Sequence, residues 1–112
     1  MSEFMLLVRG KDPLLSSPEK LQQRMETYVA WMQKMMAEGR YKGGQPLEEG
    51  EGRLLKNKEE VVSDGPFMEV KEMIGGYVII SANDINEATE IARTCPLLDH
   101  FQLEVRKLKA MN

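Results

Sequence analysis

The sequence is poor in the residues that build disulfides and metal sites. Its 112 residues include a single cysteine, Cys95, and a single histidine, His100. One cysteine excludes an internal disulfide, and one cysteine with one histidine cannot form a Cys/His zinc site. We therefore expect no metal and no cofactor, and the cysteine usage fits a reducing cytoplasm.

Long apolar runs and an excess of basic charge are also missing. The first apolar run, residues 4–8, is too short for a membrane span or a signal-peptide core, and an acid precedes it instead of a base. Fifteen Lys and Arg against 18 Asp and Glu give a net charge of -3, with both signs mixed along the chain. We therefore expect neither a membrane nor a nucleic acid as a partner.

What is present is the composition of one folded domain. Hydrophobic residues make up 42% and charged residues 29% of the chain, as in ordinary globular proteins. The length predicts a single domain over residues 1–112, short enough that a second subunit would add useful burial.

Apolar periodicity and turn residues predict the first half of the chain. Residues 4–8 are predicted as a strand, and a helix follows with Ser17 as its cap, Pro18 in its first turn and Gly39 as a left-handed stop. Its apolar stripe is predicted to contain Leu21, Met25, Tyr28, Val29, Met32 and Met36. We interpret "GGQPLEEGEG" as a Gly-rich acidic loop and "RLLKNKEEVVS" as a hairpin that turns near Asn57 and Lys58.

The second half repeats the pattern of strand and helix. "GGYVIISA" is predicted as a strand, and "NDINEATEIARTCP" as a helix with Asp84 and Glu87 as a capping box and Pro96 at its end. From Phe101 to Arg106, apolar and polar residues alternate, which predicts a strand with one apolar face.

This order predicts an α+β fold, a ferredoxin-like βαββαβ domain whose hairpin twists away from the main sheet. Both helices would cover one face of that sheet. The strands at residues 4–8 and 77–80 present apolar side chains on the other face as well. A second copy of the chain is the simplest cover for that face, so we predict a homodimer that buries well above ~1,000 Å² in total.

Three segments together resemble the YCII-related superfamily, and specifically its DGPF-domain branch: "DGPFMEVKEMIGGYVII", "DINEATEIARTCP" and "LEVRKL". The resemblance spans nearly the whole chain. It implies a dimeric ferredoxin-like α/β barrel with a cleft between sheet and helices. The function of the family is mostly unassigned, and some members occur beside sigma-factor genes or as fusions.

One departure from the family pattern bears on activity. YciI-type members carry a His on the first helix that faces an Asp just before the Pro that ends the second, a pair suspected of acid-base catalysis. Those positions correspond here to Tyr28 and Cys95. The resemblance to DGPF-type members, many of which have Tyr at the first position and His or Cys at the second, implies that the activity of the His-Asp pair does not transfer.

Asp64 has two readings. A short acidic side chain before Gly-Pro can accept hydrogen bonds from nearby backbone amides and hold its turn. Against apolar walls near Tyr28 or Phe67, the same carboxylate would have a raised pKa and could act as a general base. We expect Asp64 to lie near the mouth of the cleft.

The other possible site residues have similar alternatives. Cys95 fits a buried core cysteine better than a nucleophile, because it follows a helix C-terminus. Tyr28 either packs in the core or points its hydroxyl into the cleft, and His100 is either a solvated loop residue or the rim of a site. Four side chains of the first helix form a soft methionine surface: Met25, Met32, Met35 and Met36. The acids Glu48, Glu49 and Glu51 lack rigid metal-ligand spacing.

These observations lead to two functional hypotheses. In the first, the protein binds a small molecule in a cleft lined by Tyr28, Asp64, Phe67 and Cys95, and is a cofactor-independent lyase or isomerase with Asp64 and Tyr28 as the catalytic candidates. In the second, it is a non-enzymatic interaction module that regulates a sigma-type transcription factor. A formed pocket at the junction of sheet and helices favours the first hypothesis, and a filled junction favours the second.

Overall fold

The computed structural model describes residues 1–14, 17–48, 51–63 and 73–111. Within these ranges the elements in chain order are β1 (Ser2–Arg9), α1 (Pro18–Ala37), β2 (Tyr41–Pro46), β3 (Arg53–Leu55), β4 (Val61–Ser63), β5 (Ile74–Ala82), α2 (Ile85–Arg93), a 3-10 turn (Pro96–Asp99) and β6 (Gln102–Lys107).

Four strands form the main sheet, in the order β2-β5-β1-β6, and every neighbouring pair is antiparallel. In this register Phe4 lies opposite Ile80, and Leu6 lies between Val78 and Val105. The four-stranded antiparallel sheet with two helices confirms the predicted α+β class and is consistent with a ferredoxin-like arrangement. The barrel and the dimer stay predictions.

The prediction of a loop at the start of "GGQPLEEGEG" is wrong, because Tyr41–Pro46 forms β2, an edge strand of the main sheet. Its sequence has low strand propensity, with two glycines and a proline. A glycine is needed at residue 44, since a Cβ there would lie 2.8 Å from the Tyr77 carbonyl oxygen. Pairing with β5 therefore overrides the local preference of the chain.

The predicted hairpin is confirmed as a separate two-stranded sheet of β3 and β4. The Asn57 side chain accepts hydrogen bonds from the backbone amides of Glu59 and Glu60, at 3.0 and 2.9 Å. Asn57 therefore fixes the turn where the sequence predicted it.

Helix α1 begins at Pro18 and is followed by Gly39 at a φ of +73°, as predicted. The Ser17 prediction is wrong in part, because its side chain makes no capping hydrogen bond. In α2, the Asp84 side chain accepts from the Glu87 backbone amide at 2.8 Å, but the Glu87 carboxylate accepts from the backbone amide of Asn83 and not from that of Asp84.

One face of the main sheet packs against both helices and forms the core. Its buried members include Phe4, Leu6, Val78 and Ile80 from the sheet, Trp31 and Met35 from α1, and Ala88 and Ala92 from α2. Arg40, just before β2, pairs with Glu87 at 2.7 Å and ties the edge of the sheet to α2. In the part of the chain that the structure describes, no helix combines the length and hydropathy of a membrane span.

Candidate functional site

An apolar cleft of about 360 Å³ lies between the N-terminal half of α1 and the sheet. The residues that line it are Val8, Leu21, Arg24, Met25, Tyr28, Gln45, Pro46, Gly76, Tyr77, Val78 and Leu97. A cavity of about 150 Å³ can hold benzene, so this volume fits one substituted ring with room to spare. The cleft also lies within the size range of ordinary ligand sites.

The cleft exists because α1 packs closely on the sheet only in its C-terminal half. Trp31 and Met35 are buried there, whereas Met25 remains 56% exposed and Leu21 half-exposed. The predicted stripe is therefore wrong in part: Met36, at 51% exposed, lies outside the core, and Trp31 takes the central place. Apolar side chains at the start of α1 face open space that a ligand could fill.

Tyr28 lies at the boundary between the cleft and the hydrophobic core. Its ring packs against the core cluster, 5.8 Å from the ring of Trp31, and it also lines the cleft. Burial raises the pKa of the Tyr28 hydroxyl far above its usual value, and the neighbouring Tyr41, to which it is hydrogen-bonded, adds to the shift. Tyr28 is therefore a neutral hydrogen-bonding group and not a base at neutral pH.

Cys95 lies in the core and not among the residues that line the cleft. Its side chain is 2% exposed, and it belongs to the same cluster as Trp31 and Ile91. Burial raises the pKa of its thiol to about 11, and the charge of Asp99 adds to the shift, while a backbone hydrogen bond at Leu97 opposes it. Because the thiolate is the reactive form, this position disfavours nucleophilic chemistry.

We expect the Cys95 thiol to make folding stability fall at alkaline pH. Its pKa rises from 9.0 in the unfolded chain to about 11 in the fold, so the native state holds a proton that the unfolded chain has lost. The contribution is fully present below pH 9 and disappears as the pH rises towards 11. Denaturant titrations across this window should show a decline of up to about 1.4 kcal/mol per pH unit from this group.

Cys95→Ala provides the control for this prediction, because it removes the titrating thiol and leaves the phenolic hydroxyl of Tyr28 in place. Its stability should decline less steeply between pH 9 and 11 than that of the parent protein. Equal slopes for the two proteins would contradict the assignment.

Arg24 is a site residue that the sequence reasoning missed. Its guanidinium donates to both carboxylate oxygens of Asp12, at 2.9 and 2.6 Å, and lies 5.2 Å from the centre of the Phe101 ring. The guanidinium lowers the pKa of Asp12, chiefly through these hydrogen bonds. A signal was available, because Arg24 precedes Tyr28 by one helical turn and so shares its side of α1.

A second, polar hollow of about 320 Å³ adjoins α1 on the side of the 3-10 turn. Its lining residues are Leu14, Lys20, Gln23, Arg24, Thr27, Pro96, Asp99 and His100. His100 is half-exposed and lines this hollow, and it is not among the residues that line the apolar cleft.

Two of the predicted site residues, Asp64 and Phe67, lie outside the described residues. Of the three acids considered for a divalent ion, Glu49 also lies outside them. Among the residues that are described, no group of three or more His, Cys, Asp or Glu side chains lies close enough together to hold a metal ion.

The chain belongs to the YCII-related domain family, whose model matches residues 2–112. No curated protein matches it significantly. Among solved structures it is similar to the 5-chloro-2-hydroxyhydroquinone dehydrochlorinase of Burkholderia phenoliruptrix AC1100 in complex with 2,5-dihydroxybenzoquinone. The TM-score is 0.52 at 18% identity, over 96% of this chain and 93% of that one. At this identity the likeness shows the fold alone.

Proposed function

We propose that this protein is a cytoplasmic small-molecule-binding protein whose ligand carries an aromatic ring. The observation that carries the proposal is the open apolar cleft beside Tyr28. Apolar walls favour a flat hydrophobic body, and the neutral Tyr28 hydroxyl offers one fixed polar contact that would orient it. The dehydrochlorinase with a similar fold was solved with a compound that contains one six-membered ring, 2,5-dihydroxybenzoquinone, which supports this class of ligand.

Acid-base catalysis would need a titratable side chain that the described residues lining the cleft do not supply. No carboxylate and no histidine are among the described residues that line the cleft. The family branch named for the Asp64-Gly65-Pro66-Phe67 segment would bring the missing carboxylate if Asp64 lies at the cleft mouth. On this reading the protein is a cofactor-independent lyase or isomerase with Asp64 as its general base and Tyr28 as an orienting group.

The homodimer is part of the same proposal. On the face of the sheet opposite the helices, Met5, Leu7 and Ile79 are half-exposed apolar side chains. We call these three residues the open face. A second copy packed there would cover these apolar side chains.

The alternative function, regulation of a sigma-type factor without a ligand, is less well supported. That hypothesis expects a filled junction between sheet and helix, and the junction holds a cavity of about 360 Å³. The exposed apolar side chains of the hairpin, Leu54, Leu55 and Val61, are its remaining support.

We expect Met25→Gln to weaken the binding of ring compounds about fivefold, because it replaces an apolar wall of the cleft and removes about 1 kcal/mol of contact. Glutamine and methionine have nearly equal helix propensity, so the helix should be unaffected. Binding can be followed through the fluorescence of Trp31, the only tryptophan, whose ring lies 5.8 Å from that of Tyr28.

Met36→Gln is the matched control. It makes the same change in the same helix at nearly equal exposure, but away from the cleft lining. Tyr28→Phe should weaken the same ligands while the protein stays folded. Equal affinities for the parent, Met25→Gln and Met36→Gln proteins would move the site out of this cleft.

A further inference from the structure

Arg24 lies where two cavities of opposite character meet. It lines the apolar cleft together with Leu21, Met25 and Tyr28, and it lines the polar hollow together with Lys20 and His100. Successive turns of α1 produce this division, because its neighbours on one side of the helix are apolar and those on the other side are polar. One molecule with an apolar body and a polar end could therefore occupy both cavities.

The guanidinium of Arg24 is held in a fixed position. Two hydrogen bonds to Asp12 and the ring of Phe101 restrain it, and the side chain is only 15% exposed. A cation that is already immobilised loses little conformational freedom when it binds a ligand. Arg24 is therefore suited to bind an anion with specificity.

Arg24 also keeps unused hydrogen-bonding capacity. A guanidinium has five N–H donors, and Asp12 accepts from two of them. In the part of the chain that the structure describes, no other side chain or carbonyl accepts from Arg24. The remaining donors are available to a ligand.

The polar hollow adds a lysine and a histidine beside Arg24. Lys20 lies one turn earlier on α1, and His100 lies on the other wall, after the 3-10 turn. Asp99 is the only carboxylate among the described residues that line the hollow. Cationic and hydrogen-bond-donating side chains thus outnumber the acids there, which favours an anionic end group.

We propose that the ligand is an aromatic carboxylate, with its ring in the apolar cleft and its carboxylate bound by Arg24 at the entrance to the polar hollow. Lys20 and His100 would contribute from the rim. A planar carboxylate suits the unused edge of a guanidinium whose other edge is held by Asp12. This inference rests on the proposed function, since it assigns the ligand class of the same cleft.

The test compares acids with their neutral amides, which share the ring and differ in charge. Suitable pairs are benzoate with benzamide and para-hydroxybenzoate with para-hydroxybenzamide. At low ionic strength we expect the acids to bind at least about tenfold more tightly, because hydrogen bonds to charged groups are the stronger ones. Added salt should reduce this preference.

Two unique residues report on the two cavities separately. The Trp31 indole signal reports on the cleft through Tyr28, and the imidazole signals of the only histidine, His100, report on the hollow. In NMR titrations the acids should shift both sets of signals. The amides should shift the Trp31 signal alone.

Lys20→Gln should reduce the preference for acids about threefold and leave amide binding unchanged. Lys34→Gln, a matched change near the other end of α1 and outside both cavities, should alter neither the preference for acids nor the binding of amides.

If acids and amides bind equally and Met25→Gln weakens both, the cleft is confirmed and the carboxylate site is overturned. If neither series shifts the Trp31 signal, the proposed function fails as well.

Discussion

Trp31→Ala should lower the free energy of unfolding by about 3–5 kcal/mol, the usual cost of deleting a large buried aromatic side chain. Trp31 is 6% exposed and fills the space between α1, the sheet and the end of α2. Small domains are stable by only about 5–15 kcal/mol, so this single change removes a large part of the total. Urea titrations followed by far-ultraviolet circular dichroism would measure the loss without relying on tryptophan fluorescence.

Part of this effect comes from a hydrogen bond and not from packing. The Trp31 indole N–H donates to the Thr94 hydroxyl at 2.8 Å, and that hydroxyl donates to the Ile91 carbonyl at 2.6 Å. Thr94→Val would keep the shape but leave the indole N–H without its acceptor, at a cost of about 1–3 kcal/mol. In the Trp31→Phe background the same change should cost less. A loss below about 1 kcal/mol for Trp31→Ala would contradict the central role of Trp31 in the core.

Local chemistry made much of the fold predictable. Asp84 at the start of α2, Gly39 after α1 and Asn57 in the hairpin turn act through their own backbone neighbours, and each lies where the sequence predicted it. Strand β2 was missed because its support is not local. Residues 41–46 have little intrinsic preference for a strand, and their pairing partners in β5 lie 30 to 39 residues away along the chain.

The site was less predictable than the fold for a similar reason. Tyr28 was singled out because the resemblance places it where YciI-type members carry a histidine. Arg24 was missed because its partners, Asp12 and Phe101, lie 12 and 77 positions away, and no local pattern brings them together. The cleft opens at Met25 because α1 is buried only further along the helix, at Trp31 and Met35, whose packing partners lie far away in the chain.

Ile79→Lys should convert the proposed homodimer into a monomer. Ile79 lies on β5 directly opposite Met5, within the open face. In a symmetric dimer the substitution would bury one unpaired ammonium group from each subunit. Removing an unpaired charge from water costs several kcal/mol, so the affinity between the subunits should fall by more than about a hundredfold.

The measurement is the mass in solution across a range of concentrations, by light scattering or sedimentation. The parent protein should have twice the mass of the 12.8 kDa chain, and the Ile79→Lys protein should have the mass of one chain. Ile85→Lys is the control, because it introduces the same ammonium group at a residue that is already 46% exposed and begins α2, on the helix side of the sheet and away from the open face.

Ligand binding separates the loss of the dimer from a loss of the fold. The cleft is bounded by α1 on the helix side of the sheet, and Ile79 is not among its lining residues. A folded monomeric Ile79→Lys protein should therefore still bind ring compounds through Tyr28 and Met25. A parent protein that stays monomeric at every concentration, or an Ile79→Lys protein that stays dimeric, would show that the open face is not the subunit interface.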